Sequence, residues 1–225
     1  MANIKLVAIF AIVIVSAATG LIWPFFTNLH FTPLLSSTAN QWQMGKGSQY
    51  DPEMVYQVSF NNTNFTADMK FLPMQGQNQS LLVQIKPSGS DKLINQTVQI
   101  GLLYDYPNVS GEAKPYFDML DQSVFSMRDF ATTSQYLVKG ADWGDMYIGA
   151  NHETLDVTDT GNMTFGFGSA NAYLISYRIG ANENKVWIVD NLPLPVKSQI
   201  YDFNGTMIYN FELVSLKAPS TPGFS

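Results

Sequence analysis

The chain has no cysteine in 225 residues. That excludes disulfides, thiol nucleophiles, thiolate zinc sites, iron–sulfur clusters and the thiolate ligand of blue copper. An exported domain of this kind must hold together by core packing alone. Charge is scarce as well: 13% of residues are Asp, Glu, Lys or Arg, against about 25% in ordinary soluble domains. Only 12 residues are Lys or Arg and the net charge is −6, which argues against nucleic-acid binding. Histidine occurs twice, at His30 and His152. Long apolar runs are also few. Leu6–Phe26 is uncharged over 21 residues, and nothing after it matches that length.

That segment organises the rest. At about 1.5 Å per residue, a helix over Leu6–Phe26 matches a hydrocarbon core of about 30 Å. Two readings stand. In one it is a cleaved signal peptide, with Lys5 at the positive end, an apolar run Leu6–Val15 and small residues Ser16, Ala17 and Ala18 at the cleavage site. In the other it is a single transmembrane anchor, with Trp23, Phe25 and Phe26 at the outer interface and Pro24 ending the helix. The apolar character continues past Ala18, which favours the anchor. Both readings send everything after residue 26 out of the cytoplasm. Leu21–Phe31 also alternates with period two, from Leu21 through Trp23, Phe25, Leu29 and Phe31. After cleavage it would be a free strand able to complete a neighbour's sheet; the plainer reading is a juxtamembrane tether.

Residues 27–52 read as a linker, because Thr32–Pro52 is rich in Ser, Gly, Gln and Asn. Residues 53–216 read as one β-rich extracytoplasmic domain, and 217–225 as a frayed tail with Pro219 and Pro222. Strand signals fall at Met54–Phe60, Asn64–Leu72, Ser80–Lys86 and Thr97–Tyr104. The period then changes. Phe117, Leu120, Val124, Met127 and Ala131 recur at helical spacing after Pro115, which predicts an amphipathic helix over 115–131. Strand signals resume at Met146–Ala150, Glu153–Thr158, Met163–Phe167, Ala172–Ile179, Lys185–Asp190, Val196–Phe203 and Thr206–Leu216. Asn204-Gly205 predicts a two-residue hairpin turn with positive φ at both positions, placing Met207, Tyr209, Phe211 and Leu213 on the core face. The expected fold is mainly β: an antiparallel sandwich or a strongly curved sheet with one helix, preceded by a transmembrane or signal helix.

Asn-x-Ser/Thr occurs seven times, at Asn61, Asn64, Asn78, Asn95, Asn108, Asn162 and Asn204. The composition would give about 2.5 such acceptor motifs by chance. Sparse charge also has a use in acid. Below about pH 4 the carboxylates protonate, and a chain with few bases then avoids most self-repulsion. An N-terminal hydrophobic segment, dense sequons, absent cysteine, sparse charge and a β-rich body together look like archaeal cell-surface glycoproteins, especially those of acid habitats. The likeness is one of general character along the whole chain, and no functional residue is carried over from it.

Searching for chemistry gives little. His152 lies among Asp142, Asp145, Glu153, Asp156 and Asp159. Oxygen ligands of this type can hold calcium, but the spacing fits no calcium loop, so a solvated acidic loop is expected. Gly166-Phe167-Gly168 lacks the third glycine and the following helix of a nucleotide loop, so a bend or bulge is the better account. Trp42, Trp143 and Trp187 suit either a groove or the core. A glycoside-hydrolase pair of carboxylates has no sequence spacing to search for. No catalytic, cofactor or metal residues are assigned. The expectation is a non-enzymatic extracytoplasmic glycoprotein, a structural or accessory subunit of the cell envelope or of a membrane complex. Its expected partners are the membrane, through residues 6–26, and other proteins or further copies of itself. A filament subunit built by donor strands is one alternative. A carrier or sensor for an apolar ligand, held between a curved sheet and the helix at 115–131, is another.

Mass spectrometry of the native protein should find residues 1–26 retained and glycan mass on the sequons. Cytosolic material with unmodified asparagines is the result that would contradict this reading.

Overall fold

The computed structural model describes residues 40–75, 79–101, 105, 109–148 and 151–224. The segment 6–26 with Trp23, Phe25 and Phe26, the candidate donor strand 21–31 and the sequons Asn78 and Asn108 lie outside the described residues. Among the described residues no helix is long and apolar enough to cross a membrane.

The strands are β1 (Gln41–Trp42), β2 (Glu53–Phe60), β3 (Thr63–Phe71), β4 (Gln79–Pro87), β5 (Ile94–Ile100), β6 (Gln135–Tyr136), β7 (Asp142–Ile148), β8 (Asn151–Phe165), β9 (Gly168–Ile179), β10 (Asn182–Val189), β11 (Lys197–Tyr201) and β12 (Met207–Lys217). One helix, α1, spans Lys114–Gln122. Ten strands form one antiparallel sheet in the order β5-β4-β3-β2-β12-β11-β10-β9-β8-β7, and β1 pairs with β6 separately. Two meanders, β2 to β5 and β7 to β12, are therefore joined at a single long-range seam between β2 and β12. Phe60 lies opposite Tyr209 there, and Glu53 opposite Lys217. The curved-sheet form of the expected fold is the one found.

Alternation explains which face is covered. Met54, Tyr56 and Val58 of β2, Phe65, Ala67, Met69 and Phe71 of β3, and Leu81, Val83 and Ile85 of β4 are all buried. Gln57, Lys70, Lys86, Thr97 and Gln99 point the other way and are exposed. The buried face is roofed by the helical segment. Phe117, Leu120, Val124, Met127 and Ala131, the apolar stripe read at helical spacing, are all buried in the same core.

The helix itself is shorter than the stripe. It starts with Pro115 in its first turn but stops at Gln122, and the chain continues as a 3-10 turn at Ser126–Asp129. Ser123 Oγ donates to the Met119 carbonyl at 2.6 Å, and Ser126 Oγ to the Ser123 carbonyl at 2.7 Å. Serine side chains that bond local carbonyls compete with helix continuation.

The sheet bends most in its C-terminal part. Register shifts occur in the β7–β8, β8–β9, β11–β12 and β12–β2 pairings, whereas β2 to β5 pair without interruption. Each bulge sharpens local twist. The result is visible at Gly166, between β8 and β9. Its N–H donates to the Glu212 carboxylate of β12 at 2.9 Å, although four strand spacings separate β8 from β12, about 19 Å in a flat sheet.

Some boundaries and turns differ from the sequence reading. Glu153–Thr158 and Met163–Phe167 are one continuous strand, β8. The turn before β12 is longer than two residues, and only Gly205 has positive φ, at 80°. Asp202 Oδ1 accepts from the N–H groups of Asn204 and Thr206, each at 2.8 Å, and organises the loop instead. Gly166-Phe167 forms the β8–β9 hairpin turn, with Phe165 opposite Gly168, so of the expected bend or bulge it is the bend.

The expected linker overlaps the described residues at 40–52, and these pack into the domain. Trp42 is 0% exposed, stacks on Trp143 at 5.8 Å, and donates from Nε1 to the Leu192 carbonyl at 2.7 Å. Replacing Trp42 with alanine should therefore destabilise the domain by about 3–5 kcal/mol, measured by denaturant unfolding. A change near zero would show that this segment is a tether after all.

Candidate functional site

A cleft of about 440 Å³ lies between the curved sheet and the helical segment. Its floor comes from six strands: Phe60 of β2, Met146 of β7, Leu155 of β8, Tyr177 of β9, Val186 of β10, and Ile208 and Tyr209 of β12. Its roof is the turn that ends the helical segment, with Met127 and Phe130, and its polar edge carries Asp121, Gln122, Arg128 and Asp129. The strand residues reach one hollow because the bulged sheet curls towards the seam. The roof is irregular because α1 stops early, which leaves a 3-10 turn rather than a packed helix above the floor.

The walls are apolar with phenol groups set into them. Phe60 and Tyr209 stack at 5.8 Å with their planes 3° apart, across the β2–β12 seam. Burial pushes the Tyr209 hydroxyl pKa up, opposed in part by its contact with Ser126 Oγ at a long 3.5 Å. Burial also raises Tyr177 well above the ordinary phenol range, and the nearby Tyr209 adds to this. Arg128 is the cation at the rim. Both of its terminal nitrogens bond the Asp121 carboxylate, Nη2 to Oδ2 at 2.8 Å, so its charge is already balanced.

The cleft sets apolar walls and two phenol hydroxyls against a carboxylate–guanidinium edge. Neither histidine nor lysine lines the cleft. His152 sits on β8 with Nε2 2.8 Å from Asp145 Oδ1 and its ring 5.0 Å from that of Tyr147. Among the described residues no three His, Asp or Glu side chains are grouped to hold a metal ion. A larger hollow of about 640 Å³ beside Asn40 is lined by Gln41, Gln43, Gln49, Ser134 and Lys46 with two glycines, and it has no apolar wall.

The other residues singled out in the sequence fall as follows. Trp42 and Trp143 are core. Trp187 is half-buried with the Lys197 ammonium 5.8 Å from its ring centre. Asn61, Asn64, Asn95, Asn162 and Asn204 are all exposed. Asparagines outside sequons are more mixed: Asn184 is buried, and Asn182, Asn191 and Asn210 are half-buried. Tyr177, Arg128 and Asp121 went unnoticed as site residues. Asp121 and Arg128 pair within the helical segment, and Tyr177 reaches them from β9, far away in the sequence.

No protein-family model matches this chain, and no curated protein matches its sequence. Its structure is similar to that of MucB at 10% identity and a TM-score of 0.44, over 80% of this chain and 57% of MucB. The chain thus spans little more than half the length of MucB. It is also similar to a protein described as a lipoprotein from Parabacteroides distasonis, at 12% identity and TM-score 0.34, over 79% of this chain and 100% of that one. A third likeness is to a protein described as exported, with a YmcC-like fold, from Bacteroides fragilis, at 9% identity and TM-score 0.33, over 80% and 99%. Likenesses this slight leave the function to be read from the cleft.

The buried phenols give the cleft a pH signature. A phenol whose folded pKa is raised stabilises the fold fully below its unfolded value of about 10, and that contribution is lost as pH climbs towards the folded value. Tyr56, buried and bonded to the Pro195 carbonyl at 2.9 Å, behaves in the same way. Stability should therefore fall above about pH 10, with Tyr56, Tyr177 and Tyr209 ionising only as the protein unfolds. Ultraviolet phenolate titration beside circular dichroism checks this. Full ionisation of all tyrosines in the folded protein would contradict it.

Proposed function

We propose that this protein is an extracytoplasmic, non-enzymatic carrier or sensor of an apolar ligand, acting as an accessory subunit at the cell surface. The observation behind it is the cleft of about 440 Å³ between the curved sheet and the helical segment. Its volume falls in the range of small-molecule sites, about 300–1,000 Å³, and like them it has mostly apolar walls with a few polar groups at the edge. The rim supports an apolar ligand rather than a carboxylate, because Arg128 is already paired with Asp121. The export segment at 6–26 and the exposed sequons support the compartment. No observation favours the donor-strand filament, whose segment 21–31 lies outside the described residues.

An environment-sensitive naphthylamine dye tests the reading. Delipidated protein should bind it with a blue shift and enhanced emission, and a long-chain alcohol should displace it. Ile208→Trp and Val186→Trp, which fill the floor, should weaken binding by about tenfold or more, that is by about 1.4 kcal/mol, with the fold retained by circular dichroism. Unchanged dye emission with wild-type protein would sink the proposal.

A further inference from the structure

An open antiparallel sheet has two edges, and unpaired edge groups recruit other strands. The two edges here are treated differently. At one end, β7 is guarded: it carries Asp142 and Asp145, its register shifts between them, and Gly144 has φ 121°. Charge and a bulge of this kind are ordinary protection against edge pairing. At the other end, β5 reads Ile-Asn-Gln-Thr-Val-Gln-Ile, with no charge, proline, glycine or bulge, and it pairs in continuous register with β4 alone. Seven uncharged residues, four of them Ile, Thr or Val of high β-propensity and three Asn or Gln able to form ladders, match the signature of self-associating segments. The 3-10 turn at Gly111–Ala113 lies nearby, with Glu112 paired to Lys92, but no described strand covers β5.

There is a second bare stretch. β7 covers β8 only as far as Asp156, and Val157 bonds the backbone of Gly140 and Ala141. Beyond that point Thr158–Thr164 has β9 on one side only, and its residues are exposed apart from half-buried Met163. Its one charge is Asp159.

Each bare stretch holds a sequon inside the strand: Asn95-Gln96-Thr97 on β5 and Asn162-Met163-Thr164 on β8. Period two puts the acceptor asparagine and its threonine on the same face, and all four are exposed. Asn95 Oδ1 accepts from Gln84 Nε2 at 2.9 Å, so the bond uses the oxygen and not the nitrogen that carries a glycan. We infer that N-glycans on Asn95 and Asn162 are edge guards, which block strand addition on β5, where the polypeptide supplies neither charge nor bulge, and on β8 beyond its single charge and its bulge at Val157/Asp159. Attachment joins Nδ2 to the anomeric carbon of an oligosaccharide carried on a lipid phosphate. The anomeric C–O bond breaks, the phosphate leaves with the electron pair, and one amide proton passes to solvent. This role rests on the extracytoplasmic reading above, because the donor is available only outside the cytoplasm.

The test uses full-length protein from a glycosylating host, with site occupancy by mass spectrometry and association by light scattering and thioflavin fluorescence. Wild type should be occupied at both sites and monomeric. Asn95→Gln with Asn162→Gln should associate about tenfold faster. Thr97→Val with Thr164→Val, which removes the sequons but keeps both asparagines, should match it. Asn204→Gln, which removes a turn glycan, should not. Lysine at 95 and 162 should restore the monomer without sugar. Double variants that associate no faster than Asn204→Gln would overturn the guard, as would bare Asn95 and Asn162 in a monomer glycosylated elsewhere. A chain bare at every sequon would overturn the compartment reading with it.

Discussion

The pairing of β2 with β12 is the contact on which the rest of the molecule depends. Every other neighbouring pair in the ten-stranded sheet joins strands consecutive in the chain. Without the seam the chain would be two separate meanders, each with an apolar face that the short helical segment could not cover alone. The seam is built for this load by aromatic pairs: Phe60 stacked on Tyr209, and Tyr56 edge-on to Phe211 at 5.8 Å. Such pairs add about 0.5–1.5 kcal/mol each beyond their buried area. Phe60, Ile208 and Tyr209 are also floor residues of the cleft. The element that makes one sheet out of two thus also makes the binding surface.

Stability here owes little to charge. The described ion pairs are exposed or half-buried, the kind worth about 0–1 kcal/mol each, and the buried polar residues are serines, a threonine, Gln79 and Asn184. Asn184 shows how the oxygen of such a group is accommodated, although its buried Nδ2 has no hydrogen-bond partner. The register shift at Ile200/Tyr201 interrupts the ladder, and the Asn184 Oδ1 accepts the Tyr201 N–H at 2.6 Å in its place. A core of aliphatic and aromatic side chains with neutral polar groups changes little when carboxylates protonate. That is compatible with life in acid and equally with a neutral exterior.

Much of the architecture was legible because burial writes period two and period 3.6 into the chain. Tyr209, Phe211 and Leu213 are buried as their alternation requires, with Met207 half-buried, and the stripe from Phe117 to Ala131 is buried throughout although only its first half is α-helix. What was illegible depends on partners distant in sequence. Trp42 sits in a Ser-, Gly- and Gln-rich stretch that resembles a linker, and only Trp143 and Leu192 reveal it as core. Asn204-Gly205 gave way to Asp202, whose side chain caps the loop. Cleft residues such as Tyr177 and Arg128 carry no local signal, because four bulges and a truncated helix create the hollow around them.

The seam also sets a schedule for assembly. β2 emerges early in synthesis and β12 late, so the first meander completes its own hairpins and then waits with one flank open. Non-local pairing of this kind is slow, because loop closure is paid before the contact rewards it. The export proposed above would deliver the two partners in the same order, N-terminal half first. During that interval the sheet would expose an inner flank, at β2, as well as its finished rims, so the final step of folding is also the step at which a second chain competes most directly with the first.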